Sequence, residues 1–187
     1  MRRAFGLAAV YALALTSGLQ AQTLVNSGIY AANGHLYEVY DAPMITWADA
    51  QAFAAARGGY LATITDAGEN AFVGNLNYAV SPGQRWLGGF QPPDERNPLA
   101  NWQWVTGEAW VYTNWAAGEP NDTGSIYSEL EQHLTIGRFS DDPLGWNDEG
   151  NLSLINGFIV EYVPEPASMV ALSVGLAGLI GLRRRRK

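Results

Sequence analysis

Two short stretches concentrate oxygen donors in a pattern that suits a hard cation. Glu119-Pro120-Asn121 sets a carboxylate and a side-chain amide two residues apart around a proline, which restricts the turn between them. Asn147-Asp148 offers a second amide and a second carboxylate. Calcium takes about six to eight oxygen ligands, drawn from carboxylates, amide and backbone carbonyls and water. Residue types and spacing alone therefore mark an oxygen-rich candidate cation site. The competing reading is a solvated acidic loop. No nucleophile stands beside a base, and neither His35 nor His133 lies in a catalytic or ligand pattern. Paired carboxylates can serve a glycosidase, but a metal pattern accounts for these ones better, so the chemistry points to binding and not to an enzyme.

The 187 residues give room for one domain of ordinary size with processing segments. With 48% apolar and 16% charged residues, neither a disordered chain nor a coiled coil fits. Charge is distributed unevenly. From Gln22 to Val163, seventeen acidic residues face only Arg57, Arg85, Arg96 and Arg138. So acidic a body argues against nucleic-acid binding, which needs basic surface to meet phosphates. It is compatible with divalent cations. There is no cysteine, so stability must come from the core and from any bound metal.

Both ends read as targeting elements. Arg2-Arg3, an apolar run from Ala4 to Leu15, then Thr16-Ser17-Gly18 and Leu19-Gln20-Ala21 follow the order of a secretory signal peptide, with cleavage expected after Ala21. At the other end, Val163-Pro164-Glu165-Pro166 precedes an apolar run and then Arg183-Arg184-Arg185-Arg186-Lys187. This three-part tail resembles the PEP-CTERM sorting signal. The resemblance implies a bacterial exported protein processed by an exosortase-type membrane protease. As a helix, Ala167 to Leu182 would cover about 24 Å, short of a hydrocarbon core of about 30 Å. The five cations would stay in the cytoplasm and hold the domain outside, and the resemblance implies that the C-terminal helix is a membrane anchor only until processing. A permanent tail anchor is the alternative. The expected organisation is a signal peptide over 1–21, one domain over 22–162 and the sorting signal over 163–187.

The domain must hold the two oxygen-rich stretches in place. Leu36 to Tyr40 alternates as a strand does. Thr46, with Asp49 three residues on, is the expected N-cap of a helix to about Arg57, with Trp47, Ala50 and Ala54 on one face. Tyr60 to Ile64 reads as a short strand. Asp66 and Glu69 form a second capping box, for a helix through Phe72 to about Asn75. From Ser81 to Gly150 the chain reads as short strands in long loops, and Gly157 to Tyr162 is the closing strand. The class is α+β.

Together these landmarks resemble the C-type lectin domain. The resemblance rests on Gly58-Gly59-Tyr60-Leu61-Ala62-Thr63-Ile64, Trp86-Leu87-Gly88-Gly89, Trp102-Gln103-Trp104, Gly118-Glu119-Pro120-Asn121, Trp146-Asn147-Asp148 and Phe158-Ile159-Val160-Glu161-Tyr162. It extends from about Gly34 to Tyr162. It implies two helices on small antiparallel sheets, paired first and last strands, a long ligand-binding loop region, and core roles for Trp86, Trp104 and Trp115. The family's cysteines are missing. Ala54 and Val160 stand where one bridge would lie, and His133 and a residue near Asn151 where the other would.

The same resemblance carries a Ca2+ role onto Glu119, Asn121, Asn147 and Asp148, and implies a cis peptide before Pro120. It adds a glutamate, for which Glu131 fits and Glu129 is the alternative. These five residues are also the implied carbohydrate-binding set. In the family, Glu-Pro-Asn accompanies mannose- or glucose-type sugars, and here the partner would be exopolysaccharide or a cell-surface glycan. The alternative function is an interaction or matrix-structural module of the same fold that binds no sugar. Asp94, Glu95, Asp122, Asp141 and Asp142 read as solvated charge.

Overall fold

The structure is a computed structural model, and it describes residues 21–80, 83–123 and 130–164. The segment read as a signal peptide, up to residue 20, Glu129 and the tail from residue 165 lie outside the described residues. No helix among the described residues is long and apolar enough to cross a membrane.

The first helix, α1, spans Trp47–Ala56, and its cap is the expected one. The Thr46 hydroxyl accepts from the Asp49 N–H at 3.0 Å and donates to the Asp49 carboxylate at 2.6 Å. Ala50 and Ala54 are its buried face. Thr46→Ala should cost about 1 kcal/mol, read as a lower urea midpoint with an unchanged slope.

The second helix, α2, covers Ala67–Tyr78 and runs one turn beyond the expected end. The extra turn is held by a polar anchor. Asn77 is buried, donates to the Gly83 carbonyl at 3.2 Å and accepts from the guanidinium of Arg85. Polar residues at Asn75 and Asn77 read as a helix end only because that anchor is tertiary. Asp66 caps α2 through the Glu69 N–H at 2.9 Å. The reciprocal half of the capping box is absent. Glu69 turns its carboxylate to Thr65, Asn33 and Tyr37 instead.

The strands are β1 Thr23–Ile29, β2 Leu36–Asp41, β3 Tyr60–Leu61, β4 Gln84–Phe90, β5 Gln103–Trp104, β6 His133–Ile136, β7 Trp146–Glu149 and β8 Ile155–Tyr162. They form one sheet in the order β1-β2-β8-β4-β6-β7, with β3 on β8 and β5 on β4. The class is α+β, as expected. The strands read as first and last in the sequence do pair, Leu36 with Tyr162 through Asp41 with Gly157. One contact is parallel, between β4 and β8. At their junction a Cβ on Gly157 would lie 1.9 Å from the Tyr40 carbonyl oxygen, so only glycine fits.

Three expectations change. The edge strand β1 went unread, because its apolar residues Leu24, Val25 and Ile29 do not alternate with polar ones; it is held by backbone pairing to β2, with Val25 packed against the core. The segment from Tyr60 to Ile64 is a strand only at Tyr60–Leu61. Beyond it, Ala62 bridges two partners, donating to Ile159 and accepting from Gly88. The closing strand begins at Ile155, where pairing with Gln84 starts.

Two apolar clusters make up the core. Ala54, Val160, Trp86 and Phe158 belong to the cluster that includes α1. Ala54 and Val160 are fully buried there, so methyl groups pack at the two positions where the resemblance would put one bridge. The other cluster holds Tyr37, Ile159, Trp102, Trp104 and Trp146. Trp86 and Trp104 are buried as expected, while Trp115 is half-buried and packs on this second cluster, 5.0 Å from Trp102 and 5.9 Å from Trp146 by ring centroids.

Candidate functional site

The oxygen-rich stretches are brought together by Trp146. Its side chain is fully buried, and its indole N–H donates to Asn70 on α2 at 2.7 Å. Its backbone then clamps the preceding loop. The Trp146 N–H donates to the Asn114 carbonyl at 2.8 Å, and its carbonyl accepts from the Ala116 N–H at 2.9 Å. The Glu119 N–H closes the turn onto the Ala116 carbonyl at 3.0 Å. Gly118 lies at φ +95°, a conformation that favours glycine. The Glu119–Pro120 peptide is cis.

Asp148 on β7 is the anchor of the loop. Its side chain is fully buried and accepts from the Asn121 N–H, with both oxygens at 3.1 Å, and from the Asp122 N–H at 2.8 Å. Asp122 is more than solvated charge, since its carboxylate accepts the Glu131 N–H at 3.0 Å. That bond ties the far end of the loop back to its start. The side-chain oxygen of Asn121 accepts from the Thr123 N–H at 2.8 Å. Of the other acids read as solvated, Glu95 instead caps its own turn, accepting from the N–H groups of Arg96 and Asn97 at 2.9 Å.

Glu119, Asn121, Glu131 and Asn147 line one cleft of about 300 Å3. Thr123, Arg138, Phe139, Glu149, Asn151 and Leu154 complete it. Asp148 lies beneath. One oxygen of Glu119, Oε2, is buried and finds no donor among the described residues. Burial first, then the charge and hydrogen bond of Asp148, push the Glu119 carboxyl up to about 7. Burial, then the charges of Asp148, Glu149, Glu119 and Asp122, push Glu131 up to about 7 as well. Asp148 is also raised by burial, but the N–H groups of Asp122 and Asn121 oppose the rise. Of this coupled pair, Glu119 therefore takes the proton. The donor types fit a hard divalent cation: the carboxylates of Glu119 and Glu131 and the amide of Asn147 line the cleft with one buried, unsatisfied oxygen, while the side chains of Asn121 and Asp148 already accept from neighbouring N–H groups.

Sequence reasoning missed Glu149 and Arg138. Glu149 is buried and fully engaged: Oε2 accepts from Gln84 at 2.6 Å, and Oε1 from the N–H groups of Gly150 and Asn151 at 3.0 and 2.7 Å. The acidic run Asn147-Asp148-Glu149 was its only signal.

Of the two histidines, the reading of His35 changes and that of His133 as a structural residue stands. His35 does have a partner, with Nδ1 2.5 Å from Oε1 of Glu161. His35, Glu69 and Glu161 form a compact group whose ligand atoms all lie within 4.8 Å of one another. Its carboxylates already accept from Thr63, Thr65 and Asn33, which makes it a hydrogen-bonded tie between β2, α2 and β8. His133 packs against Trp47 and Trp86 at ring distances of 4.7 and 6.0 Å. Burial pulls its imidazole down to about 4, so it is neutral and apolar in role.

Comparison with known proteins agrees with this architecture. A family model described as "Lectin C-type domain" matches residues 44–150, and one described as "PEP-CTERM protein-sorting motif" matches residues 163–186. Lithostathine-1 of Mus musculus is 31% identical over 102 residues, covering 52% of this chain and 59% of that protein, less than two thirds of its length. The mouse scavenger receptor C-type lectin carbohydrate-recognition domain superposes with a TM-score of 0.57 at 22% identity, over 74% of this chain and 96% of that one. The cow carbohydrate-recognition domain of CD23, solved in the presence of a GlcNAc2Man3 oligosaccharide, gives 0.56 at 21%, over 70% and 89%.

Proposed function

The chain belongs to the C-type lectin domain family, and from that premise we propose that its loop cleft is a calcium-dependent carbohydrate site presented outside the cell. The observation that carries this reading is the Glu119 carboxylate. It lies against Asp148, whose charge and hydrogen bond help to hold its proton, and lines the cleft with Glu131; its Oε2 is buried and has no donor among the described residues. Burying an unmatched acid among other acids is costly. A divalent cation offsets that cost with the right charge and the right ligand chemistry.

Bound calcium would supply positive charge and open positions for hydroxyl oxygens. Glu119, Glu131 and Asp148 would hold it as carboxylates, and Asn121 and Asn147 as amides. The chain's own groups would then read the sugar. Carboxylate oxygens accept from hydroxyls, and amide NH2 groups donate to them. The order Glu119 then Asn121 favours mannose- or glucose-type ligands, the preference implied by family resemblance. That the cow CD23 domain was solved with a mannose-containing oligosaccharide supports a carbohydrate reading of this fold. The sorting motif supports export, processing by an exosortase-type protease and display at the cell surface, where exopolysaccharide or surface glycan is the natural partner.

Retention of the full chain on a mannose-type resin tests the reading. Binding in millimolar calcium, the concentration range of extracellular calcium modules, should be lost in chelator. Retention that ignores chelator, or no retention on any glycan resin, would replace it with an interaction module of the same fold.

A further inference from the structure

Of the four arginines in the acidic body, two are committed to the fold. Arg85 is buried and bound to Asp41 and Asn77, and Arg57 covers the rings of Phe53 and Tyr40. Arg96 is exposed and does not line the cleft. Arg138 differs from all three, because it lines the same cleft as Glu119, Asn121, Glu131 and Asn147. Its guanidinium makes no hydrogen bond among the described residues. Its nearest acid is Glu149, at 3.9 Å, too long for a hydrogen bond. The Glu149 oxygens already accept from Gln84, Gly150 and Asn151. The side chain of Arg138 is 33% exposed and that of Glu149 only 2%, so a ligand arriving from solvent meets the cation first. Its guanidinium lies 5.9 Å from the centre of the Phe139 ring, a looser contact than the 4.4 Å of Arg57 on Phe53, and Phe139 and Leu154 give the cleft an apolar wall.

We propose that the cleft selects acidic glycans, with the Arg138 guanidinium receiving the carboxylate of a hexuronic acid residue. This rests on the carbohydrate reading above and names the sugar class. A planar guanidinium with five donors matches a carboxylate with two parallel hydrogen bonds. A uronic acid of manno or gluco configuration keeps the vicinal hydroxyls that a cation and its carboxylate–amide pairs would read, and changes only the sixth carbon. The C–H face of the ring suits Phe139 and Leu154. Arg138 is thus a specificity-determining residue, and its neighbour Glu149 positions it without using up its donors.

Calorimetry with the full chain in calcium tests this. The ligands are a neutral manno-oligosaccharide, a mannuronate oligosaccharide of equal length and a sulfated neutral oligosaccharide. Uronate should bind about tenfold tighter than the neutral sugar, as expected for one charge-assisted pair. The ratio should shrink as salt is raised. Arg138→Gln should bring the ratio close to one, and Arg138→Lys, which keeps the charge but not the fork, should fall between. If Arg138→Gln does not fold, the salt dependence of the ratio in the parent decides. An equal ratio in parent and Arg138→Gln, or a salt-independent ratio, overturns the proposal. Equal gains for sulfate and uronate overturn the carboxylate assignment. Calcium-dependent binding of neutral sugar with no uronate preference removes this inference alone. The absence of any calcium-dependent sugar binding removes the carbohydrate reading as well.

Discussion

Calcium will raise the melting temperature of the full chain and chelator will lower it, and the gap between the two will widen as pH rises from about 5 to 8. A ligand that binds only the folded state adds about 2.7 kcal/mol at a hundredfold excess over its dissociation constant. For a domain of this size that is several degrees. The pH dependence follows from Glu119 and Glu131, whose folded carboxyls are both pushed up to about 7, above the ordinary 4.5. A raised carboxyl favours the folded state while it stays protonated. That contribution is fully present below the unfolded value and is lost as pH rises through the folded one. Without calcium, these two groups should therefore make the protein less stable between about pH 4.5 and 7. With calcium, the same ionisation supplies the charged ligands, so binding releases protons and strengthens over that window. Melting curves with and without chelator at several pH values give both signs in one experiment. A calcium effect that is absent, or that grows toward acid pH, would contradict the assignment of Glu119 and Glu131.

How far the sequence could be read depended on whether a signal was local. The cap of α1 was legible because Thr46 and Asp49 satisfy each other within one turn. The end of α2 was not, because Asn77 is fixed by Gly83 and Arg85. The edge strand β1 carries no apolar alternation, since pairing to β2 rather than burial defines it. In the cleft, the residue types of Glu119, Asn121, Asn147 and Asp148 announced oxygen-rich chemistry. The structure places the first three in the cleft lining, with Asp148 buried below. What spacing could not convey was that Asp148 spends its oxygens on the loop backbone, or that Asp122 links the two loop ends. Arg138 was invisible as a site residue because its position depends on the turn after β6. The pairing of His35 with Glu161 spans 126 positions and has no local signature.

Exchanging the two polar groups of the Glu-Pro-Asn turn should change the sugar class while keeping the cation. In the double variant Glu119→Gln with Asn121→Asp, the turn still offers one carboxylate and one amide, in reversed order. The surroundings accept both changes. Asn121 takes the Thr123 N–H on its side-chain oxygen at 2.8 Å, and an aspartate there can accept the same bond. Glu119 lies against the carboxylate of Asp148, which can accept from the amide NH2 of a glutamine. The oxygen count around the cation is unchanged, so the melting shift with calcium should persist. A hydroxyl pair in the cleft now meets donor and acceptor in the wrong order. Each mismatched buried polar contact costs about 1–3 kcal/mol, so affinity for a mannose-type sugar should fall about tenfold or more. Side-by-side calorimetry of parent and variant with mannose and galactose reads the change. The parent should prefer mannose, and the variant should lose that preference with its calcium response intact. An unchanged preference in a variant that still responds to calcium would mean that the Glu119–Asn121 pair does not read the sugar.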